Sequence, residues 1–147
     1  MSSIKRLLAV VAAMAALTFL VPPVSASSPI GAVHLTKTCP TWETTQTCTV
    51  QTVTAGPIPV GTVVAYSGLF SPTLSATVTL TTPNNSTATG HCTLFWRPEL
   101  FGNDGFGTCT FMTGTGSLAG FHANLKILDH VDPLVTNWDG IYFFAAD

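Results

Sequence analysis

Four cysteines, four histidines and a thin scatter of carboxylates are the residues of this 147-residue chain whose types and spacing could support chemistry. Cys39, Cys48, Cys92 and Cys109 admit two states, thiolate ligation of zinc or oxidation to two disulfides. The spacing lacks the short Cys-x2-Cys knuckle of zinc sites, and an even number of cysteines in an exported chain reads as two bridges. Among the histidines, His130 sits in Asp129-His130-Val131-Asp132, which groups three ligand-type side chains, while His91 and His122 lie on segments that a sheet can bring together. A metal or general-base site would draw on one of those sets. No recognised ligand spacing appears, so the expectation is a hydrated loop before Pro133, two ordinary surface histidines in His91 and His122, and neither metal nor cofactor.

Nucleophilic catalysis finds no Gly-x-Ser-x-Gly elbow among the many serines and threonines, and the cysteines are expected to be oxidised. No catalytic residue is therefore assigned. Arg97, Glu99 and Asp104 share one loop and read as a hydrated turn. Asp139, next to Trp138, is either a carboxylate among aromatics with a raised pKa or an outward position near a bulge at Gly140. The aromatic residues suggest a hydrophobic binding site. Leu94, Trp96, Phe111, Phe121 and Tyr142 form the expected ligand pocket, and Trp42, inside the loop between Cys39 and Cys48, is the expected exposed contact. Small barrels also fill their interiors with such side chains, so core packing competes with the pocket reading.

The elements that must position these residues are strands in an exported domain. Lys5 and Arg6 precede an apolar run, Leu7 to Leu20, broken only by Thr18. Pro22 and Pro23 follow, and Val24-Ser25-Ala26 offers short residues for a peptidase. At about 14 residues the run is shorter than the roughly 20 that span a bilayer, so residues 1–26 read as a signal peptide cleaved after Ala26. Residues 27–147 then form a single disulfide-stabilised domain, secreted or periplasmic, with no stable membrane insertion. A net charge of −2 with only 8% charged residues offers no field for nucleic acid, and 46% hydrophobic content excludes a disordered chain.

Threonine, valine and aromatics dominate beyond residue 31, and Gly or Pro punctuates the text at roughly eight-to-twelve-residue intervals. Strands are predicted at Ala32–Lys37, Gln46–Thr54, Gly61–Ser67, Leu74–Thr81, Thr89–Arg97, Phe106–Thr113, Ser117–Leu128 and Thr136–Phe144. Leu74, Ala76, Val78 and Leu80 alternate with Ser75, Thr77, Thr79 and Thr81, the signature of an antiparallel strand wet on one face. Pro83-Asn84-Asn85-Ser86 is a turn that carries overlapping glycosylation acceptors at Asn84 and Asn85. Pairing Cys92 with Cys109 puts Phe95 opposite Phe106 and Leu94 opposite Gly107, with turn residues in the connecting loop. That coherent hairpin favours Cys92–Cys109 and leaves Cys39–Cys48, although four cysteines permit three pairings.

The most distinctive string is Thr113-Gly114-Thr115-Gly116-Ser117-Leu118-Ala119-Gly120-Phe121-His122. Gly114-Thr115 fits a two-residue type II′ turn. A bulge near Ala119-Gly120 would then let Leu118, Phe121, Leu125 and Ile127 share the interior with Leu94, Trp96 and Phe111, while His122, Asn124 and Lys126 face out. This Gly-x-Gly-x-Leu-x-Gly hairpin resembles those of the allene oxide cyclase and dirigent-like barrels, exported bacterial members included. The likeness covers about Cys92 to Phe144. Where dirigent proteins continue with Arg-Gly this chain reads Phe121-His122, and no catalytic residue of either plant family maps onto it. The resemblance implies an all-β fold, an antiparallel eight-stranded barrel, and leaves the chemistry open.

Three functional classes follow as expectations. The first is a secreted, non-enzymatic barrel that binds a small hydrophobic or amphipathic ligand, or an extracellular partner. The second is an allene oxide cyclase-like isomerase or cyclase acting on a hydrophobic substrate. The third is a structural or adhesive surface protein. A transmembrane barrel fits the low charge but is opposed by the four cysteines and the threonine-coated outer faces. The oligomeric state is not readable from the sequence.

Overall fold

The computed structural model of the chain describes residues 30–40, 45–69, 73–96, 104–131 and 134–145. The expected signal peptide, Trp42, and residues 97–103 with Arg97 and Glu99 lie outside the described residues, as do Asp132 and the side chains of Trp96 and His130. Eight antiparallel strands follow in chain order: β1 (Gly31–Thr38), β2 (Thr45–Ala55), β3 (Val63–Leu69), β4 (Thr73–Thr81), β5 (Thr87–Trp96), β6 (Asp104–Gly114), β7 (Phe121–Val131) and β8 (Leu134–Phe144). Each pairs with its sequence neighbours, and β1 pairs with β8, so the meander closes on itself as a barrel with no free edge.

Strict alternation of side chains produces this shape. Val33, Leu35, Val50, Val64, Ala76, Val78, Leu80, Leu125 and Ile127 point inward and are buried, while the threonines between them face water. Phe111 lies at the centre of the core, with ring centroids 5.9 Å from Phe121 and 5.8 Å from Trp138. Inward side chains are absent where strands press closest. A Cβ at Gly140 of β8 would run into the carbonyl oxygen of Asn124 on β7. The closely packed, inward-coiled wall therefore requires glycine there.

The two ends differ. At the end holding the β2–β3, β4–β5 and β6–β7 connections, Ile58, Leu118 and Phe121 are fully buried and plug the barrel. Thr82 and Ser86 fasten the β4–β5 turn through reciprocal bonds, Ser86 N–H to Thr82 Oγ1 and Thr82 Oγ1 to Ser86 O, both at 3.0 Å. Ser117 N–H donates to Ser86 Oγ at 2.9 Å and ties that turn to the β6–β7 connection.

The β6–β7 connection departs from the expected type II′ turn. A 3-10 turn, Gly116–Leu118, occupies it, β7 begins at Phe121 rather than Ser117, and the left-handed residues are Gly116 (φ 60°) and Gly120 (φ 69°). Burying Leu118 as the plug requires the longer connection, and glycine suits the left-handed position 116, where a Cβ would press on the Ser86 side chain. The bulge also moves. Register shifts fall in the β1–β2 ladder and in the β5–β6 ladder, where Thr89 faces Thr113 and Gly90 faces Phe111, leaving Met112 out of that register and exposed. The expected inward set Leu118, Phe121, Leu125 and Ile127 is buried nonetheless.

Both disulfides form as expected, Cys39–Cys48 and Cys92–Cys109, and the latter is a direct cross-strand pair with Phe95 opposite Phe106 and Leu94 opposite Gly107. No helix among the described residues is long and apolar enough to cross a membrane.

Candidate functional site

Polar side chains enter the barrel at the end opposite the plug, and the alternation of the strands puts them there. In β1 the inward parity Val33, Leu35 continues to Lys37, and in β8 it runs through Trp138 to Thr136. In β7 it runs from Ile127 to Asp129, in β3 from Val64 to Tyr66, and in β2 from Val50 through Cys48 to Gln46. Ladder register makes these residues neighbours around the wall, with Gln46 opposite Tyr66, Lys37 opposite Thr136, and Thr136 opposite Asp129. All are buried, Lys37 at 2% exposure and Asp129 at 4%, which is unusual for residues that normally keep their charges in water.

Their bonds form a chain. The Lys37 ammonium donates to Thr136 Oγ1 at 3.0 Å, and the Thr136 hydroxyl donates to Asp129 Oδ1. The other Lys37 contacts are weak acceptors, Cys39 Sγ at 3.4 Å and Cys48 Sγ at 3.6 Å. Its nitrogen stands 5.0 Å from the Tyr66 ring centre and 5.5 Å from that of Trp138, within cation–π range. Burial lowers the Lys37 pKa from 10.5 to about 8, against the opposing pull of Asp129. Burial, reinforced by the Asp129 carboxylate, holds the Tyr66 phenol well above its usual value, so it stays protonated. Trp138 Nε1 is fully buried with no hydrogen-bond partner among the described residues.

These groups can therefore receive an acceptor. Among the described residues Lys37 has one oxygen acceptor, Thr136 Oγ1, and the Trp138 indole N–H has none, so both are donors that a carbonyl or carboxylate oxygen would satisfy. On the wall beside Asp129, Gly105 leaves room. A Cβ there would meet Asp129 Cβ and Leu94 Cδ1 at ordinary 3.5 Å contact.

The residues expected to line a pocket are distributed along the barrel. Leu94 is buried near Gly105, Phe111 and Phe121 pack against each other in the core, and Tyr142 lies 6.0 Å from Phe121, beside Phe144. Trp96 lies in β5 opposite Gly105. Asp139 takes the outward position and bonds His34 across the β1–β8 ladder. His91 and His122 are not brought together, because β6 separates their strands. His91 Nε2 lies 3.0 Å from Ser75 Oγ, and the His122 ring stacks on Phe143 at 4.9 Å. Asp129 turns inward, away from the expected hydrated loop. No cluster of three metal-ligating side chains occurs among the described residues.

Lys37, Tyr66, Gln46 and Thr136 were not among the residues expected to carry function. The signal for Lys37 was present in the parity of Val33-x-Leu35-x-Lys37-x-Cys39. No protein-family model matches the chain, and searches of curated proteins and of solved structures return no match either.

Proposed function

We propose that this is a secreted, non-enzymatic β-barrel that binds a small amphipathic molecule by its polar end at the Lys37–Tyr66–Trp138 cluster. The observation that carries this reading is the buried Trp138 Nε1 donor, without a partner among the described residues, beside a buried ammonium. An unsatisfied buried donor costs on the order of 1–3 kcal/mol, an expense that a bound acceptor removes. The aromatic rings of Tyr66 and Trp138 suit the apolar body adjoining such a head group. Two disulfides accord with an oxidising compartment and with the signal-like N-terminus. The closed eight-stranded meander accords with membership of the allene oxide cyclase and dirigent-like superfamily.

A test is the Trp138 indole N–H resonance during titration with aliphatic carboxylates, ketones and aldehydes. A ligand of the right class moves that resonance in the native protein and not in Lys37→Met. If every compound leaves it unmoved, the binding reading is wrong.

A second reading, an isomerase or cyclase, is favoured by one observation. The Lys37 amine, with a pKa of about 8, is linked through Thr136 to a carboxylate. A proton carrier with a pKa near the working pH is well matched to acid–base catalysis. Chemical turnover of a compound that shifts the Trp138 signal, lost in Lys37→Met, would select this reading.

A further inference from the structure

The Lys37 ammonium touches both sulfurs of one disulfide and neither of the other. Its nitrogen lies 3.4 Å from Cys39 Sγ and 3.6 Å from Cys48 Sγ. Cys92 and Cys109 sit at the β5–β6 ladder among Ala76, Leu94 and Leu125, all apolar, and both are fully buried. Cys39 lies just beyond the end of β1 and is the least buried of the four cysteines. The two bridges therefore meet different fields: one a buried cation, the other hydrocarbon.

We propose that Cys39–Cys48 is a redox-responsive bridge, opened selectively by dithiol reductants because Lys37 stabilises the thiolate released from it. The reductant's thiolate attacks Cys39 Sγ, an S–S bond to the reductant forms, and the Cys39–Cys48 bond breaks with its electron pair leaving on Cys48. That thiolate forms beside the Lys37 ammonium, which favours the charged sulfur as a neighbouring lysine does elsewhere. The reductant's second thiol, giving up its proton, then attacks its own mixed-disulfide sulfur and expels Cys39. Two electrons have passed to the protein, the reductant leaves as its cyclic disulfide, and the two protons from its thiols supply Cys39 and the solvent while Cys48 stays a thiolate. The titratable groups facing the bridge are Lys37 from β1, Tyr66 from β3 and, through Thr136, Asp129 from β7; β2 presents the uncharged Gln46. A phenol held protonated adds no charge of its own. Asp129 opposes the thiolate from behind Thr136, and Lys37 is the group in contact with sulfur. The inference does not rest on the proposed ligand, but a head group held by Lys37 would compete with the released thiolate, so the titration uses ligand-free protein.

The test is a redox titration of the oxidised protein with reduced and oxidised dithiothreitol at pH 7, quenched by alkylation and read by peptide mass. Cys39 and Cys48 should label at a reductant ratio about tenfold or more below that needed for Cys92 and Cys109. In Lys37→Met the first midpoint should rise toward the second while the second stays in place. Simultaneous opening of both bridges in the native protein, or an unchanged Cys39–Cys48 midpoint in Lys37→Met, overturns the proposal. A readout that needs no variant is the pH profile of iodoacetamide alkylation after selective reduction. Cys48 should react with a midpoint below the roughly 8.5 of a free thiol, and a midpoint at or above that value contradicts the role of Lys37.

Discussion

Replacing Lys37 with methionine should stabilise the free protein at neutral pH, and the pH dependence of the gain identifies its cause. Lys37 is buried and its pKa lies at about 8 when folded, against 10.5 for the ordinary side chain. Each unit of difference corresponds to about 1.4 kcal/mol, so holding the proton inside the barrel costs on the order of 3 kcal/mol, the attraction of Asp129 already included. Below pH 8 both folded and unfolded chains carry the proton and the cost is complete. Between pH 8 and 10.5 the unfolded chain binds more protons than the folded one, so stability of the native protein rises with pH in that window. Tyr66 acts in the opposite sense above pH 10, because its phenol is held protonated in the fold while the unfolded one ionises. The clean range is therefore pH 7 to 10.

Methionine matches the volume, leaves the Thr136–Asp129 bond in place and carries no charge. Guanidinium unfolding with both disulfides oxidised should show Lys37→Met more stable by about 3 kcal/mol at pH 7, with the advantage shrinking by about 1.4 kcal/mol per pH unit from pH 8 to 10. A variant less stable than the native protein, or an advantage that does not change with pH, would show that burial of the Lys37 charge carries no such cost. Either outcome would mean that the amine is hydrated or that Asp129 compensates it fully.

Three further outcomes follow from the same geometry. Removing the Cys92–Cys109 bridge as the double alanine variant should lower the unfolding free energy by roughly 3 kcal/mol, read by denaturant titration, from the restriction that a 17-residue separation imposes on the unfolded chain. Gly140→Ala should destabilise by on the order of 1–3 kcal/mol, since its methyl meets the backbone of Asn124, whereas Gly105→Ala should change stability by less than about 1 kcal/mol in a thermal melt. Gly116→Ala should lower the melting temperature, because the new methyl meets Ser86 in left-handed backbone, and Ser117→Ala in the same connection should have a smaller effect.

Period-two alternation made the eight strands and their inward faces legible, and Cys92 with Cys109 set the β5–β6 register because only one alignment placed Phe95 against Phe106. Alternation also overrode chemistry at one position. Lys37 reads as a surface residue by type but as an interior residue by parity, and the barrel obeys parity. The candidate site was harder to see because its members come from β1, β2, β3, β7 and β8, and ladder register alone makes them neighbours. Asp129 reads with His130 as part of a loop, although β7 continues through it and turns it inward. The β6–β7 connection departs from its local turn signal for a related reason. Gly114 satisfied a local turn rule, but the burial of Leu118, a tertiary demand, selected the longer 3-10 connection.

Native mass spectrometry of the protein purified from its own host, beside Lys37→Met prepared identically, tests the binding claim. The native protein should carry a small-molecule mass that dissociates on activation, and Lys37→Met should fly bare. Two bare proteins, or two proteins loaded alike, would contradict it.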